Sequence, residues 1–583
     1  MRLSELVAAL KPDKSPDKSP GQGPDKVLEP EFPLVVGEGD PEITGMTQDS
    51  RLVLPGDLFL AVRGRNFDGW DFAEKAIGAG AVAVMAQAGA NALGAHNTGG
   101  EATGGQAPSL GVPAILVGEP FGELASRAAG LIYGRPDKKL LMVGVTGTNG
   151  KSTTAYLLED VLNAQGLPCG VIGTVNYRWP VVGQGETVDP AGPKGPALKV
   201  VPAPNTTPDG PELWRTLSQM VEDGAKAAVI EVSSHGLKLA RLGDMVFDLA
   251  IFTNLSRDHL DFHTDMDDYF GQKRRLFTER LKTAAKKSVV GFDDQYGQRL
   301  LAELGQRAVG FGLEEGADYR AQNVSLGRAG VSFEFTAKRA KGPETGPPKE
   351  PPKGHGGRHR GEQGIITSPL LGAFNVLNLL GVLAAAAELG LDSAITEAAL
   401  AKAKGAPGRL ERVGRNDDYL VLVDYSHTPA SVGAALESLR LLSPRKLICV
   451  FGCGGDRDRG KRPDMAERAG SEADLAILTS DNPRTEDPLA IMADAEEGFK
   501  KIGLAKAGPG SDKNLVAGKE SGTYLAEPDR GRAIQLACQM MGPGDILLIA
   551  GKGHEDYQIL GKVKIHFDDR EVALAALKGL GKA

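Results

Sequence analysis

The segment Thr146-Gly147-Thr148-Asn149-Gly150-Lys151-Ser152-Thr153 follows the apolar run LLMVGV (140–145) and leads into a helical stretch. Glycines let backbone N–H groups converge on phosphate oxygens, and the first turn of a helix adds partial positive charge. Lys151 is suited to neutralising β- and γ-phosphates, and the Ser152 hydroxyl to reaching Mg²⁺. Val145 stands where the generic GxxxxGK[ST] pattern has its first glycine, so a glycine-rich turn before a helix is the plainer alternative. The order strand, Gly-Lys-Ser, amphipathic helix favours ATP. Glu231 lies near the end of a second apolar run, AAVIEV (227–232), just before Ser233-Ser234-His235. A carboxylate at a strand end beside a phosphate loop is placed for Mg²⁺. An incidental glutamate beside a capping serine pair is the alternative.

These residues need a scaffold, and the chain supplies a regular one. Further apolar runs occur at DLAIFT (248–253), YLVLVDY (419–425), KLICVFG (446–452), LAILTS (475–480) and DILLIAG (545–551), each ending in a polar or Gly-rich turn. Continuous rather than alternating runs suit strands buried on both faces of a parallel sheet. Helical stretches alternate with them. Thr153 to Gln165 places Leu158, Val161, Leu162 and Gln165 on one side, and Gly166 stops it. This predicts an α/β fold whose ligands collect at the carboxyl ends of the strands. At 583 residues the chain exceeds one core, and three domains are expected: 1–137, 138–406 and 407–583, with Gly405-Ala406-Pro407-Gly408 marking the second boundary. Residues 11–26, 89–111, 180–204 and 338–364 are rich in Pro, Gly or charge and read as insertions.

Composition excludes several function classes. Lys and Arg number 67 against 75 Asp and Glu, a net charge of −8, so no global field favours nucleic acid. Residues 338–364 carry seven Lys/Arg against three Glu but no aromatics, which favours a solvated excursion. Cys169, Cys449, Cys453 and Cys538 form no disulfide framework, and Cys449 with Cys453 has no second ligand pair nearby for zinc. The start, MRLSELVAAL, lacks a signal-peptide apolar core, and no apolar stretch reaches membrane-spanning length. A soluble, cytoplasmic, monomeric protein is expected, without nucleic-acid or membrane partners.

TGTNGKST resembles the nucleotide loop of the Mur ligase and folylpolyglutamate synthetase superfamily, and the resemblance extends over almost the whole chain outside the four insertions. It implies a three-domain Mur ligase architecture with a central P-loop-containing parallel-sheet domain and a Rossmann-like C-terminal domain. It also implies joining of an amino acid to a carboxylate through an acyl phosphate. Gly147 to Thr153 then cradle ATP. The string DLAIFTNLSRDHLDFHTDMDDYFGQKRRLF (248–277) is similar to the family's metal segment. By that match His259 ligates a second Mg²⁺ and Lys273 is carbamylated, which turns a cation into an anionic oxygen ligand. By itself Lys273, within the cluster KRR, reads as a surface charge. Catalytic candidates are Lys151, Glu231, His259 and Lys273; metal candidates are Ser152, Glu231, His259 and Lys273.

Further motifs resemble the branch of the Mur ligases that adds the third amino acid of the peptidoglycan peptide. MTQDSR and PGDLFLAVRGRNFDG (46–69) match its uridine-nucleotide domain, which implicates Ser50, Arg65, Asn66 and Phe67. Asn205, Thr206, Thr207, Ser233 and Arg241 match residues that hold the muramoyl-dipeptide. Gln48 and Leu239 depart from the family pattern, which often has Leu and Gln there. LLGAFNVLNLLG (370–381) matches the adenine side, with Asn375 the contact and Asn378 on the same helical face. GRLERV and VDYSHTP bring in Arg409, Asp424 and His427 on the ATP-facing side. Arg457, then Asp481-Asn482-Pro483-Arg484, then Gly551 and Glu555 match the acceptor site, and DNPR marks the enzymes that add meso-diaminopimelate. Two arginines suit the distal carboxylate that diaminopimelate has and lysine lacks. Glu555 and Asn482 suit its ammonium. The expected reaction adds meso-diaminopimelate to the D-Glu γ-carboxyl of UDP-MurNAc-L-Ala-D-Glu. Folylpolyglutamate-type ligation and a P-loop regulatory ATPase are the alternatives.

Overall fold

A computed structural model describes residues 1–11, 33–64, 67–88, 110–183, 186–187, 195–282, 288–338, 363–416, 418–507 and 522–583. Insertion 11–26 lies outside the described residues except for Lys11, 89–111 except for its last two residues, and 338–364 except for its ends; Arg65 and Asn66 lie outside them as well. The chain divides into two compact units. One comprises Met1–Asn149, Gly166–Ser288 and Leu304–Ala308; the other comprises Gly150–Gln165, Val289–Glu303 and Val309–Ala583.

Besides the two-stranded pair Glu186–Thr187 and Gly195–Pro196, the described strands of the first unit fall in two sheets. Near the N-terminus, strands Ala114–Val117, Ala83–Gln87, Asp57–Ala61 and Gly45–Thr47 run parallel in that order, with Leu34–Val36 antiparallel on the edge. Further along the chain, Cys169–Ile172, Ala227–Glu231, Leu141–Thr146 and Leu249–Phe252 are neighbouring parallel strands. All but Leu141 in this group are buried, as continuous apolar runs require. Asn176–Pro180 and Leu198–Pro202 extend the sheet antiparallel. The Leu198–Pro202 strand lies inside the 180–204 segment expected to be an insertion. Its residues are almost all exposed, so apolar patterning carried no sign of it.

The second unit contains the helix Lys151–Ala164, which follows Gly150 in left-handed conformation (φ 85°). It starts two residues before the expected Thr153, and Gly166 ends it at φ 76°. Its burial is not one-sided as predicted: Ser152 through Glu159, Val161 and Leu162 are all buried. One tie is to helix Ser393–Leu400, where Gln165 Nε2 donates to the carbonyl of Asp392, that helix's N-cap (2.8 Å). Strands Tyr319–Gly327, Gly330–Ala337 and Gln363–Ser368 form an antiparallel ribbon, so the end of the 338–364 segment is strand.

The C-terminal sheet has the order Glu411–Val413, Tyr419–Asp424, Asp545–Ala550, Leu447–Cys453, Leu475–Ser480, Thr523–Ala526, Ala505–Lys506, parallel except for its first strand. Leu420, Leu422, Cys449, Phe451, Leu478, Ile546 and Leu548 enter one core. Val421, Val423, Ile448, Val450, Ile477, Leu547 and Ile549 enter another. Alternate residues thus feed opposite faces, both covered by helices. All four cysteines are free and buried. No helix among the described residues is long and apolar enough to cross a membrane.

Candidate active site

In the first unit the phosphate loop is stapled to the segment after strand Leu249–Phe252. Thr148 N–H donates to Asn254 O (2.9 Å), Asn149 N–H to Asn254 Oδ1 (3.0 Å), and Thr253 Oγ1 to Asn149 O (2.6 Å). Gly147 has φ 143°, and a Cβ there would collide with Thr253 Oγ1, so this approach requires glycine. Lys273, 1% exposed, donates from Nζ to Gly147 O (2.8 Å) and lies over the Tyr269 ring. That burial removes the surface-charge reading. The helix Met266–Thr278 turns Lys273 inward with Tyr269, Phe270, Leu276 and Phe277.

Glu231 is fully buried where strand Ala227–Glu231 ends. Its Oε1 accepts from Thr174 N–H and its Oε2 from Thr174 Oγ1, each at 3.0 Å. Thr174 Oγ1 also lies 3.0 Å from Thr206 Oγ1. Thr207 Oγ1 donates to Glu231 O (2.8 Å) and lies 2.9 Å from Ser233 Oγ, which caps helix Ser234–Lys238 by accepting from Gly236 N–H. Arg241 Nη1 donates to Thr207 O (2.6 Å) and pairs with Asp209 (2.9 Å). Tyr177 donates to Asn205 O (2.8 Å). The structure therefore gathers Asn205, Thr206, Thr207, Ser233 and Arg241 around Glu231. Gln48 joins them, donating to Asp209 Oδ2 (2.6 Å), whereas Leu239 is exposed.

Ser50 follows strand Gly45–Thr47 and Phe67 follows Asp57–Ala61. These strands are parallel neighbours, so both residues lie at adjacent carboxyl ends. Phe67 is 71% exposed and meets Phe72 edge-on.

His259 sits in a loop at φ 54°, with Asp258 3.6 Å away. It belongs to a group that sequence reasoning missed. His235 meets His259 edge-on and stacks on Phe262, while His263 reaches Ser234 Oγ (2.9 Å) and Asp268 (3.3 Å). Burial, with His259 and His263 beside it, brings His235 down to about 4. The only advance sign was the spacing of His259 and His263.

Among the described residues no three His, Cys, Asp or Glu side chains form a metal cage. Mg²⁺ seldom uses one; it takes one or two carboxylates together with phosphates and water. Glu231, a hard oxygen donor held rigidly by Thr174, fits that requirement.

In the second unit, Asn375 is 2% exposed, donating to Leu371 O (2.7 Å) and accepting from Asn378 Nδ2 (2.8 Å). Asn378 Oδ1 lies 3.5 Å from Thr154 Oγ1 on the helix after the phosphate loop. Asp424 accepts from Leu410 N–H (2.7 Å), Ser426 N–H (2.8 Å) and Ser426 Oγ. Arg409 lies over the Tyr425 ring, on which His554 is tilted; His427 reaches Tyr425 O (2.8 Å).

The acceptor motifs also converge. A Cβ on Gly454 would lie 3.1 Å from Arg484 Nη1 and 3.8 Å from Arg457 Cγ, so both arginines flank that glycine. Arg484, at φ 53°, donates to Gly455 O (2.8 Å). Asn482 Nδ2 donates to Glu555 Oε2 (2.9 Å). Asn482 Oδ1 accepts from Ile559 N–H (2.9 Å) and Lys552 Nζ (3.1 Å). Asn482 therefore orients Glu555, in place of the expected direct acceptance from an ammonium. Burial and Asp481 push the Glu555 carboxyl up. Gly551, at φ 118°, donates its N–H to Asp424 O (3.0 Å), joining the acceptor and ATP-side motifs. Pro483 packs its carbonyl where a Cβ on Gly455 would stand.

Sequence reasoning missed Lys552 and Arg462. Arg462 is fully buried and clamps the two acceptor loops, bonding Glu486 (2.7 and 3.0 Å), Asp494 (2.8 Å) and Gly454 O (3.3 Å). Its guanidinium brings the Glu486 carboxyl down to about 2. The basic cluster DRDRGKR hid it among exposed neighbours.

Three family models match: "Mur ligase family, catalytic domain" at 42–128, "Mur ligase middle domain" at 145–386, and "Mur ligase, glutamate ligase domain" at 408–553. A UDP-N-acetylmuramoyl-L-alanyl-D-glutamate–2,6-diaminopimelate ligase of Geobacter sulfurreducens is 40% identical over 93% of this chain and 96% of its own. A ligase of the same name from Streptomyces avermitilis is 40% identical over 93% and 94%. A solved structure of a ligase so named is 31% identical, with TM-score 0.56, covering 93% and 96%. The fold alone is shared with MurF of Thermotoga maritima in complex with ADP (18% identity, TM-score 0.53, 92% and 97%). With relatives matching it almost from end to end, the chain belongs to the Mur ligase family.

Proposed function

We propose that the chain is an ATP-dependent, ADP-forming amide ligase that adds meso-diaminopimelate to the D-Glu γ-carboxyl of UDP-MurNAc-L-Ala-D-Glu, in cytoplasmic peptidoglycan precursor synthesis. The observation that carries the acceptor assignment is the polarity of the C-terminal pocket. Arg457 and Arg484 flank Gly454, and Glu555 is oriented through Asn482. An acceptor with a carboxylate and an ammonium at its far end satisfies both; lysine would leave two arginines facing no anion.

In this reading residues 1–137 bind the uridine nucleotide, 138–406 carry phosphoryl transfer, and 407–583 bind the acceptor and face ATP. Gly147 to Thr153 hold the phosphates, Lys151 balancing their charge. Arg409, Asp424 and Asn375 serve the nucleoside side. Thr206, Thr207, Ser233 and Arg241 hold the dipeptide, with Asn205 at the same turn. Ser50, Arg65, Asn66 and Phe67 contact the uridine end.

Mg²⁺ would be held through Ser152, Glu231, His259 and a carbamylated Lys273, and when bound it spreads the charge of the transferring phosphoryl group. A Lys273 carbamate would exchange a buried ammonium for an anionic oxygen donor, and its remaining N–H could keep the bond to Gly147 O. Glu231 is fixed by Thr174, so it needs no reorganisation when charge develops. Arg457 and Arg484 orient the acceptor by its distal carboxylate.

The test is product mass. Purified protein with ATP, Mg²⁺, UDP-MurNAc-L-Ala-D-Glu and meso-diaminopimelate should give the nucleotide-tripeptide and one ADP per bond formed. ATP hydrolysis that ignores both partners would instead mark a regulatory ATPase.

A further inference from the structure

Lys552 has no role in the account so far, yet it is fully buried beside the acceptor pocket. Its Nζ lies 2.7 Å from Tyr557 O, 3.1 Å from Asn482 Oδ1, 3.2 Å from Asp481 Oδ1 and 3.7 Å from Glu555 Oε2. An ammonium only donates, so the atom of Asn482 that faces it must be the carbonyl oxygen. With Ile559 N–H donating to the same oxygen (2.9 Å), the Asn482 amide nitrogen is turned toward Glu555, where it donates at 2.9 Å. Lys552 also stands between the buried Asp481 carboxylate and the half-buried Glu555 carboxylate, whose ionisation the Asp481 charge opposes.

We infer that Lys552 is a positioning residue of the acceptor pocket, holding the Asn482 amide together with the Ile559 N–H and balancing Asp481 and Glu555 so that Glu555 presents a carboxylate to the acceptor's ammonium. The inference rests on the reading of this pocket as the diaminopimelate site. Glu555 is faced by Asp481, Lys552, Arg484, Tyr425, Tyr557 and Arg530. Among these cations Lys552 alone touches Asn482 through its side-chain tip at 3.1 Å while pairing with both carboxylates.

The test uses the full chain and the variants Lys552→Met and Lys552→Arg, comparing KM for meso-diaminopimelate, ATP and the nucleotide-dipeptide between pH 6.5 and 8.5. For Lys552→Met, KM for diaminopimelate should rise about 30-fold or more at pH 7, a low value for an unpaired buried charge. The other two KM values should stay within about threefold. Without the lysine Glu555 protonates more readily, so the defect should shrink as pH rises. Lys552→Arg keeps the charge but not the compact tip. It should fold even where the methionine variant does not, and show a smaller defect in the same constant. A diaminopimelate KM unchanged in both variants overturns the inference and leaves the ligase reading intact. Equal, pH-independent losses in all three constants overturn it too, as a structural effect only. Wild-type protein that does not use diaminopimelate overturns the ligase reading and this inference together.

Discussion

Glu231→Gln separates structure from chemistry at the centre of the proposed phosphoryl-transfer site. The substitution keeps size and removes one negative charge. In the wild type Oε1 and Oε2 each accept one hydrogen bond from Thr174 at 3.0 Å. A glutamine can keep its oxygen toward the Thr174 N–H and turn its amide nitrogen toward Oγ1. That hydroxyl can rotate to accept and donate instead to Thr206 Oγ1, 3.0 Å away. Two charge-assisted bonds become neutral ones, a stability cost of about 2 kcal/mol. The chemical cost is larger, because the buried carboxylate is the hard donor assigned to Mg²⁺. Losing it should remove about 3–4 kcal/mol of transition-state stabilisation, or about 100- to 1000-fold in kcat. Thermal unfolding and steady-state ADP release, measured over a range of Mg²⁺, read the two costs independently. A well-folded variant with kcat within about tenfold of wild type would refute the placement of Glu231 in the mechanism.

Lys273→Ala should lose nearly all activity and recover part of it with added short carboxylates, which replace the anionic oxygen; full activity without them would remove Lys273 from the mechanism. Arg484→Lys exchanges a planar fork for a point charge and should raise KM for diaminopimelate about 10- to 100-fold with little change for ATP. An unchanged value would mean that Arg484 does not meet the acceptor. His554 is held down at about 4 by burial and then by Arg409, and His235 at about 4 by burial and its histidine neighbours. Between that value and the ordinary 6.5 the unfolded chain binds more protons. The stability these neutral rings contribute is therefore complete above pH 6.5 and is lost as pH falls toward 4. His554→Gln should flatten that slope in denaturation curves taken from pH 7 to 4.5, and an unaltered slope would contradict it.

Much of this was legible in the amino-acid order, for identifiable reasons. The seven apolar runs became parallel strands because burial on both faces leaves an uninterrupted Val, Ile and Leu signal, as at Tyr419–Asp424 and Leu475–Ser480. Leu198–Pro202 left no such trace because its side chains meet solvent. The phosphate loop was readable because glycine at Gly147 and Gly150 answers a local backbone need. Lys273 was found by its motif, but its burial and that of Lys552 were not readable, since burial of a lysine depends on what surrounds it in space: Tyr269 and Gly147 O in one case, Asp481 and Asn482 in the other. The histidine group is likewise a product of folding, joining His235 to a loop more than twenty residues away. Asn482 was found by its motif, but the direction of its amide emerged only with Ile559 N–H and Lys552 in place.

The central claim is the acceptor. Phosphate release should be followed with ATP, Mg²⁺ and UDP-MurNAc-L-Ala-D-Glu, comparing meso-diaminopimelate with L-lysine at equal concentration. Release with diaminopimelate and near-background release with lysine is the expected result, because only the former offers Arg457 and Arg484 a distal carboxylate. Equal or faster release with lysine would contradict the account.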